Sequence, residues 1–188
     1  ERSRGLGDVY KRQVLVAILV VLALKEVLDR LHEHGYQLPS IAIHLLGQVV
    51  AWSALAGVRG IMVAFLLSIM VFAVVRLFLE GNKAAPKNWL RDTSMGGFLL
   101  AWIPLMAAFT TVLMGFQSAE RGIKGNLILI TFIVTVVCSD IGGYTFGVLW
   151  GKHPLAPKVS PKKSWEGLAG SLIFSLIAAI LMLSLIHI

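Results

Sequence analysis

Long apolar runs recur along this chain: "VLVAILVVLAL", "IMVAFLLSIMVFAVV", "GGFLLAWIPLMAAFTTVLMG", "LILITFIVTVV" and "LAGSLIFSLIAAILMLSLI". Several approach or pass the roughly 18–20 residues that carry a helix across a bilayer. A soluble core cannot hide so many continuous runs in 188 residues. The composition agrees. Hydrophobic residues make up 57% and charged residues 14%, where an ordinary globular chain carries about a quarter charged. The expected fold is all-α: a polytopic integral membrane protein with about six transmembrane helices.

Breaks in the apolar pattern place the spans at about 14–31, 40–57, 60–79, 95–115, 125–150 and 168–186. The first becomes amphipathic after Leu24 and is expected to project beyond the membrane. Gly35 and Pro39 then break the helix. His44 and Gln48 interrupt the second span, which is expected to be short or re-entrant. Trp89 and Trp102 suit interfacial positions. Basic residues divide unevenly between alternate connections. Lys25, Arg30, Arg76, Lys83, Lys87, Arg91, Lys152, Lys158, Lys162 and Lys163 follow the odd spans, against Arg59, Arg121 and Lys124 after the even ones. The positive-inside rule puts the first set in the cytoplasm. The formal net charge of +7 therefore needs no nucleic acid to explain it. Cys138 has no second cysteine to pair with and reads as a small buried hydrophobe. His32, His34, His44 and His153 lack metal-ligand spacing and read as polar or interfacial.

The chemistry is concentrated in "CSDIGGYTFGVLWGKHPLAPKVSPKKSWEGLAGS", residues 138–171. A carboxylate inside an apolar helix is costly unless it faces a wet cavity or a cation. Asp140 could escape that cost at an exposed helix end, but the segment stays apolar as far as Trp150. Gly143, Gly147 and Gly151 recur every four residues and form a smooth stripe for close helix packing. That stripe turns Asp140 and its neighbour Tyr144 toward protein. Further on, Ser160 is a good N-cap and Pro161 suits a first helical turn. Lys162 and Lys163 would then lie against the positive end of a helix dipole, which makes sense if an anion binds there. Backbone N–H groups, the lysines and the Ser160 or Ser164 hydroxyl could cradle a phosphate. A basic patch touching anionic lipid heads explains the lysines equally well. Glu166 could pair a lysine, hold a metal-bound water or balance charge.

This stretch resembles the phosphatidate cytidylyltransferase family, the CDP-diacylglycerol synthases. The matching residues are Asp140, Tyr144, Gly147, Gly151, Lys152, Ser160, Pro161, Lys162, Lys163, Glu166 and Gly167, with Ser164 where the family usually has threonine. The resemblance implies transfer of CMP from CTP to phosphatidate, giving CDP-diacylglycerol and pyrophosphate, with Mg2+ as cofactor. It implies a bacterial-type inner-membrane enzyme whose lysine-rich loop faces the cytoplasm. Asp140, Lys163 and Glu166 would be catalytic, with Asp140 also a metal ligand. Tyr144, Lys152, Ser160, Lys162, Lys163 and Ser164 would bind the substrate phosphates. The partners implied are CTP, phosphatidate and the lipid bilayer, with a second copy of the chain as a further candidate and no nucleic acid. A polyprenol kinase-like enzyme is one alternative. A transporter using Asp140 as its ion site is another.

The family's C-terminal signature, with His-Gly-Gly and Asp-Arg elements, is not found here, so this polypeptide is expected to be inactive by itself. The two ends suggest why. "DVYKRQ" can be written GAT GTG TAT AAG AGA CAG, whose reverse complement reads "LSLIHI", the last six residues. The element resembles a transposase end used in sequencing libraries. Residues 1–13 and 183–188 are therefore expected to be adapter-like, flanking a partial transmembrane cytidylyltransferase domain at 14–182.

Overall fold

A computed structural model of the chain describes residues 2–78, 87–115 and 125–187. The helices are α1 (Arg2–Glu33), α2 (Ser40–Trp52), α3 (Gly57–Phe78), α4 (Trp89–Leu100), α5 (Met106–Gly115), α6 (Gly125–Trp150) and α7 (Trp165–His187). Two short strands, β1 (Pro154–Ala156) and β2 (Ser160–Ser164), join α6 to α7. The chain divides into two units, Glu1–Val112 and Leu113–Ile188.

Four helical stretches among the described residues are long and apolar enough to cross a membrane: Ser40–Phe78, Trp89–Gly115, Gly125–Trp150 and Trp165–Leu185. The chain is an integral membrane protein of helical build. Length and composition alone do not reach the expected number of about six. Lys25, Glu26, Asp29 and Arg30 crowd the second half of α1, and Ser40–Phe78 counts as one stretch although it folds back on itself. The reversal lies at Gly57, which follows a 3-10 turn over Ser53–Ala56 and has φ +73°. A side chain there would be strained, so glycine is the residue for the corner. Ile43, early in α2, shares a core with Phe72, late in α3, while Val50 and Ala54 share one with Ile61. The two helices therefore run antiparallel. α2 has 13 residues, about 20 Å of helix, which is short of the ~30 Å hydrocarbon layer.

The first unit has a true interior. Ala17, Val20, Leu24 and Leu28 are buried at helical spacing along α1, so one narrow stripe faces the core. Gly47 lets the Leu24 side chain come close; an added Cβ would sit 2.8 Å from Leu24 Cδ1. Two glutamines fasten α1 to α2. Gln13 Nε2 donates to Ala51 O at 2.8 Å, and Gln48 Nε2 donates to Ala17 O at 3.1 Å. Such side chain-to-backbone bonds hold helices together where lipid removes any hydrophobic drive between them. Pro104 lies inside a π-helical turn, Ala101–Leu105, between α4 and α5. Proline has no N–H to offer the helix ladder, and the wider turn accommodates the gap. Trp89 opens α4, its Nε1 donating to Ala73 O at 3.2 Å. Trp102 lies mid-stretch in Trp89–Gly115 and stacks on Phe98 with ring centroids 5.6 Å apart.

One basic residue assigned to a connection is instead inside the unit. Arg76 and Asp92 are fully buried, with Nη2 and Oδ2 2.9 Å apart. Arg76 also donates to Gln37 Oε1 and Lys87 O. Arg91 donates from Nε to Asp92 Oδ1 at 2.9 Å and from Nη2 to Gly35 O at 2.7 Å, with its guanidinium 4.5 Å from the Tyr36 ring centre. The network ties the turn after α1 to the end of α3 and the start of α4. Arg76 is thus a structural cation and says little about which side of the membrane it marks. Lys83 and the even-connection residues Arg121 and Lys124 lie outside the described residues.

In the second unit α6 and α7 form a hairpin of helices in backbone contact. A Cβ added to Gly142 would sit 2.5 Å from Gly170 O, and one on Gly170 would sit 2.5 Å from Gly142 O. Gly167 faces Gly143 and Gly147 in the same way, at 3.0 and 3.3 Å. The expected glycine stripe is therefore a packing surface, and its partner is the small-residue face of α7. Phe146 and Phe174 close one side edge-to-face, 5.9 Å apart.

Candidate functional site

The connection between α6 and α7 departs from the sequence reading. Ser160 does not cap a helix, and Pro161, Lys162 and Lys163 do not form its first turn. Ser160–Ser164 is strand β2, antiparallel to Pro154–Ala156, with Ala156 opposite Ser160 and Pro154 opposite Ser164. Proline is tolerated there because a two-stranded ribbon has free edges. The helix begins at Trp165, and the cap is Ser164, whose Oγ accepts from Gly167 N–H at 3.2 Å. This satisfies one of the donors left open at a helix start. The residue types that suggested a cap were right, but the cap sits four residues later.

This displacement decides where the lysines go. β2 lifts Lys162 and Lys163 out of the helix and over a cleft of about 400 Å³. The cleft is lined by Asp140, Gly143, Tyr144 and Gly147 from α6, Leu155 from β1, Lys162, Lys163 and Ser164 from β2, and Gly167, Leu168 and Ser171 from α7. The glycines let the helices approach closely, and the side chains flanking them form the walls. Asp140 stands ten residues before the end of α6, about 15 Å below it by helical rise. The cleft therefore runs from lysines at its mouth to a carboxylate within the apolar span. No hydrogen bond or ion pair among the described residues engages the side chains of Asp140, Tyr144, Lys162 or Lys163. A ligand would meet charges that are not already neutralised by the protein.

Of the residues singled out from the sequence, five meet in this cleft: Asp140, Tyr144, Lys162, Lys163 and Ser164. Three do not line it. Lys152 is exposed at the foot of the β-hairpin, and Ser160 is half-buried in the ladder. Glu166 faces the other side of α7, near Phe146, Trp150 and Ala169. Its carboxylate grips His153 at two points. Oε1 lies 2.6 Å from His153 Nδ1, and Oε2 accepts from the His153 backbone N–H at 3.3 Å. Sequence reasoning missed Ser171 and Leu168 as lining residues. Their signal was present: Ser164, Gly167, Leu168 and Ser171 recur at the spacing of one helical face.

The set suits a phosphate-rich ligand. Two ammonium groups, a serine O–H and the start of a helix converge on one opening, and each favours negative charge. Among the described residues no group of three or more His, Cys, Asp or Glu could hold a metal ion by itself. Mg2+ commonly takes one or two carboxylates and completes its shell with water and substrate phosphates. Asp140 together with a triphosphate fits that pattern.

The cytidylyltransferase family model matches residues 7–188. Over 180 residues the chain is 38% identical to a phosphatidate cytidylyltransferase of Mycobacterium leprae, covering 89% of this chain and 56% of the relative. Over 176 residues it is 36% identical to one of Mycobacterium bovis, covering 89% and 56%. A Staphylococcus haemolyticus relative of the same name is 32% identical over 169 residues, covering 88% and 60%. The chain spans about half the length of the curated relatives it matches. No solved structure gives a significant match.

Proposed function

The chain belongs to the cytidylyltransferase family, and from that premise we propose that it forms part of a membrane enzyme transferring CMP from CTP to phosphatidate. A phosphate oxygen of phosphatidate attacks the α-phosphorus of CTP. The new P–O–P bond forms as the α–β bridging bond breaks, and its electrons leave with pyrophosphate. The products are CDP-diacylglycerol and pyrophosphate. The observation that carries this reading is the meeting of Lys162, Lys163, Ser164, Tyr144 and Asp140 in one cleft, where among the described residues no hydrogen bond or ion pair engages the side chains of Lys162, Lys163, Tyr144 or Asp140.

The roles follow from charge. Lys162 and Lys163 hold the triphosphate and offset the charge that builds as pyrophosphate departs. Ser164 already accepts from Gly167 N–H, so its own O–H proton is left to donate to a phosphate oxygen. Asp140, with the phosphates, would hold Mg2+, which supplies further charge neutralisation when bound. The walls of the cleft are helices of membrane-spanning character, so a lipid substrate can reach it from the bilayer. We place the lysine-bearing hairpin on the cytoplasmic side, where CTP is found. The basic residues of that connection, Lys152, Lys158, Lys162 and Lys163, support this.

The test is CTP-dependent formation of CDP-lipid by a protein of the relatives' full length, with Lys163→Ala and Asp140→Asn. Loss of product in both is expected. Unchanged activity in both would remove these residues from the site.

A further inference from the structure

The β-hairpin that carries Lys162 and Lys163 has few means of holding its position. It is two short strands of three and five residues, a unit that is marginal in water without added support. At its base the Trp165 N–H donates to His153 O at 2.9 Å. The second attachment is the two-point grip of Glu166 on His153. The geometry of that grip is specific. One carboxylate oxygen takes the backbone N–H of His153 and the other takes its ring N–H, so both the chain path and the imidazole orientation are fixed. Glu166 is two residues into α7, and His153 is the residue before β1. The bond therefore spans the entry and exit of the hairpin.

We infer that His153 and Glu166 form a clasp that positions the hairpin, and that Glu166 acts on the reaction through His153 and not by touching substrate or metal. Glu166 lies away from the cleft, while Lys162 and Lys163 stand four and three residues before it, on the far side of the Ser164 cap. Opening the clasp would free the exit strand to move and would lower the share of molecules with both ammonium groups over the cleft. His153 thereby becomes a positioning residue, although its sequence context gave it no role. The inference rests on the reading of the cleft as a polyphosphate site.

Four variants of the detergent-solubilised protein of the relatives' full length test this: Glu166→Ala, His153→Ala, the double variant and Glu166→Gln. Each is measured for the rate of tryptic cleavage within the hairpin and for affinity for CTP with Mg2+, with helix content as the check on folding. Glu166→Ala is expected to speed cleavage about fivefold and weaken CTP binding by a similar factor, since local opening sets both, and His153→Ala, which keeps the backbone N–H bond, by a smaller factor. The double variant should be no worse than Glu166→Ala alone, because that change already removes both bonds, including the one His153→Ala removes. Glu166→Gln should fall between, as its amide oxygen can still accept one of the two bonds. Glu166→Ala weakening CTP binding with hairpin cleavage unchanged would overturn the inference, and so would effects that multiply in the double variant. If the unsubstituted full-length protein failed to bind CTP, the reading of the cleft would fall, while the cleavage series would still decide the clasp.

Discussion

The two units handle polar groups in opposite ways. In the first, one group of charges is turned inward and matched. Arg76, Asp92, Arg91 and Gln37 satisfy one another and nearby carbonyls around a fully buried ion pair. Both hydrophobic clusters also lie in this unit. In the second, the interior is little more than a seam of glycines between α6 and α7. Asp140, Lys162 and Lys163 face a cleft there, and among the described residues no hydrogen bond or ion pair engages their side chains. A matched buried charge fixes a fold, whereas an unmatched one at an opening is available to a ligand. The same residue types thus serve structure in one unit and chemistry in the other.

Four substitutions probe that contrast. The largest effect is expected from Asp92→Ala, which strands Arg76 without its carboxylate in a buried site. A loss of about 3–5 kcal/mol should appear as a lower thermal midpoint. Replacing both partners with apolar residues, Arg76→Met with Asp92→Leu, should recover most of it. If the double variant were no better than the single, the pair would be doing more than satisfying itself. Next is Gly170→Leu, which pushes a side chain into Gly142 O and the Phe146 side chain. Overpacking of about 1–3 kcal/mol should destabilise the second unit and weaken CTP binding together. Lys163→Ala should then separate the two properties. CTP affinity should fall about tenfold, the usual weight of one charge-assisted bond, with the thermal midpoint unmoved. A shift in the midpoint would mean that Lys163 belongs with Arg76 as a structural cation. The smallest effect is expected from Ser164→Ala, which removes the cap of α7 at about 1 kcal/mol. Ser164→Thr should retain most of the cap, and a full loss in that variant would show that the hydroxyl's position, not its presence, matters.

How legible was this in the sequence? Long apolar runs disclose a membrane helix directly, because lipid imposes a length and a composition on each segment. The glycine stripe was readable for the same reason: helix periodicity is local. The second span was readable as short, and α2 is short. Errors arose where a local signal had two structural outcomes. "SPKKS" offers cap residues, but Ser160 and Ser164 both qualify, and the sequence does not say which one stands at the helix start. Pairing with Pro154–Ala156 decides for Ser164. The catalytic role of Glu166 is implied by resemblance alone, and the helix turns its carboxylate toward His153 and not into the cleft. Arg76 was counted as a connection residue because its partner, Asp92, lies across a loop whose closure no local pattern reports.

By itself, the amino-acid sequence determined the solvent this protein lives in, the helices that solvent requires, and the thirty-residue block in which its chemistry is written. Those are consequences of composition and short-range periodicity. Tertiary structure decided which charges are neutralised and which remain open. That choice depends on distances between residues far apart in the chain, such as Asp140 and Lys163 or Arg76 and Asp92. The energy of a charge is set by what surrounds it in space, and one strand pairing or one helix rotation is enough to change its role.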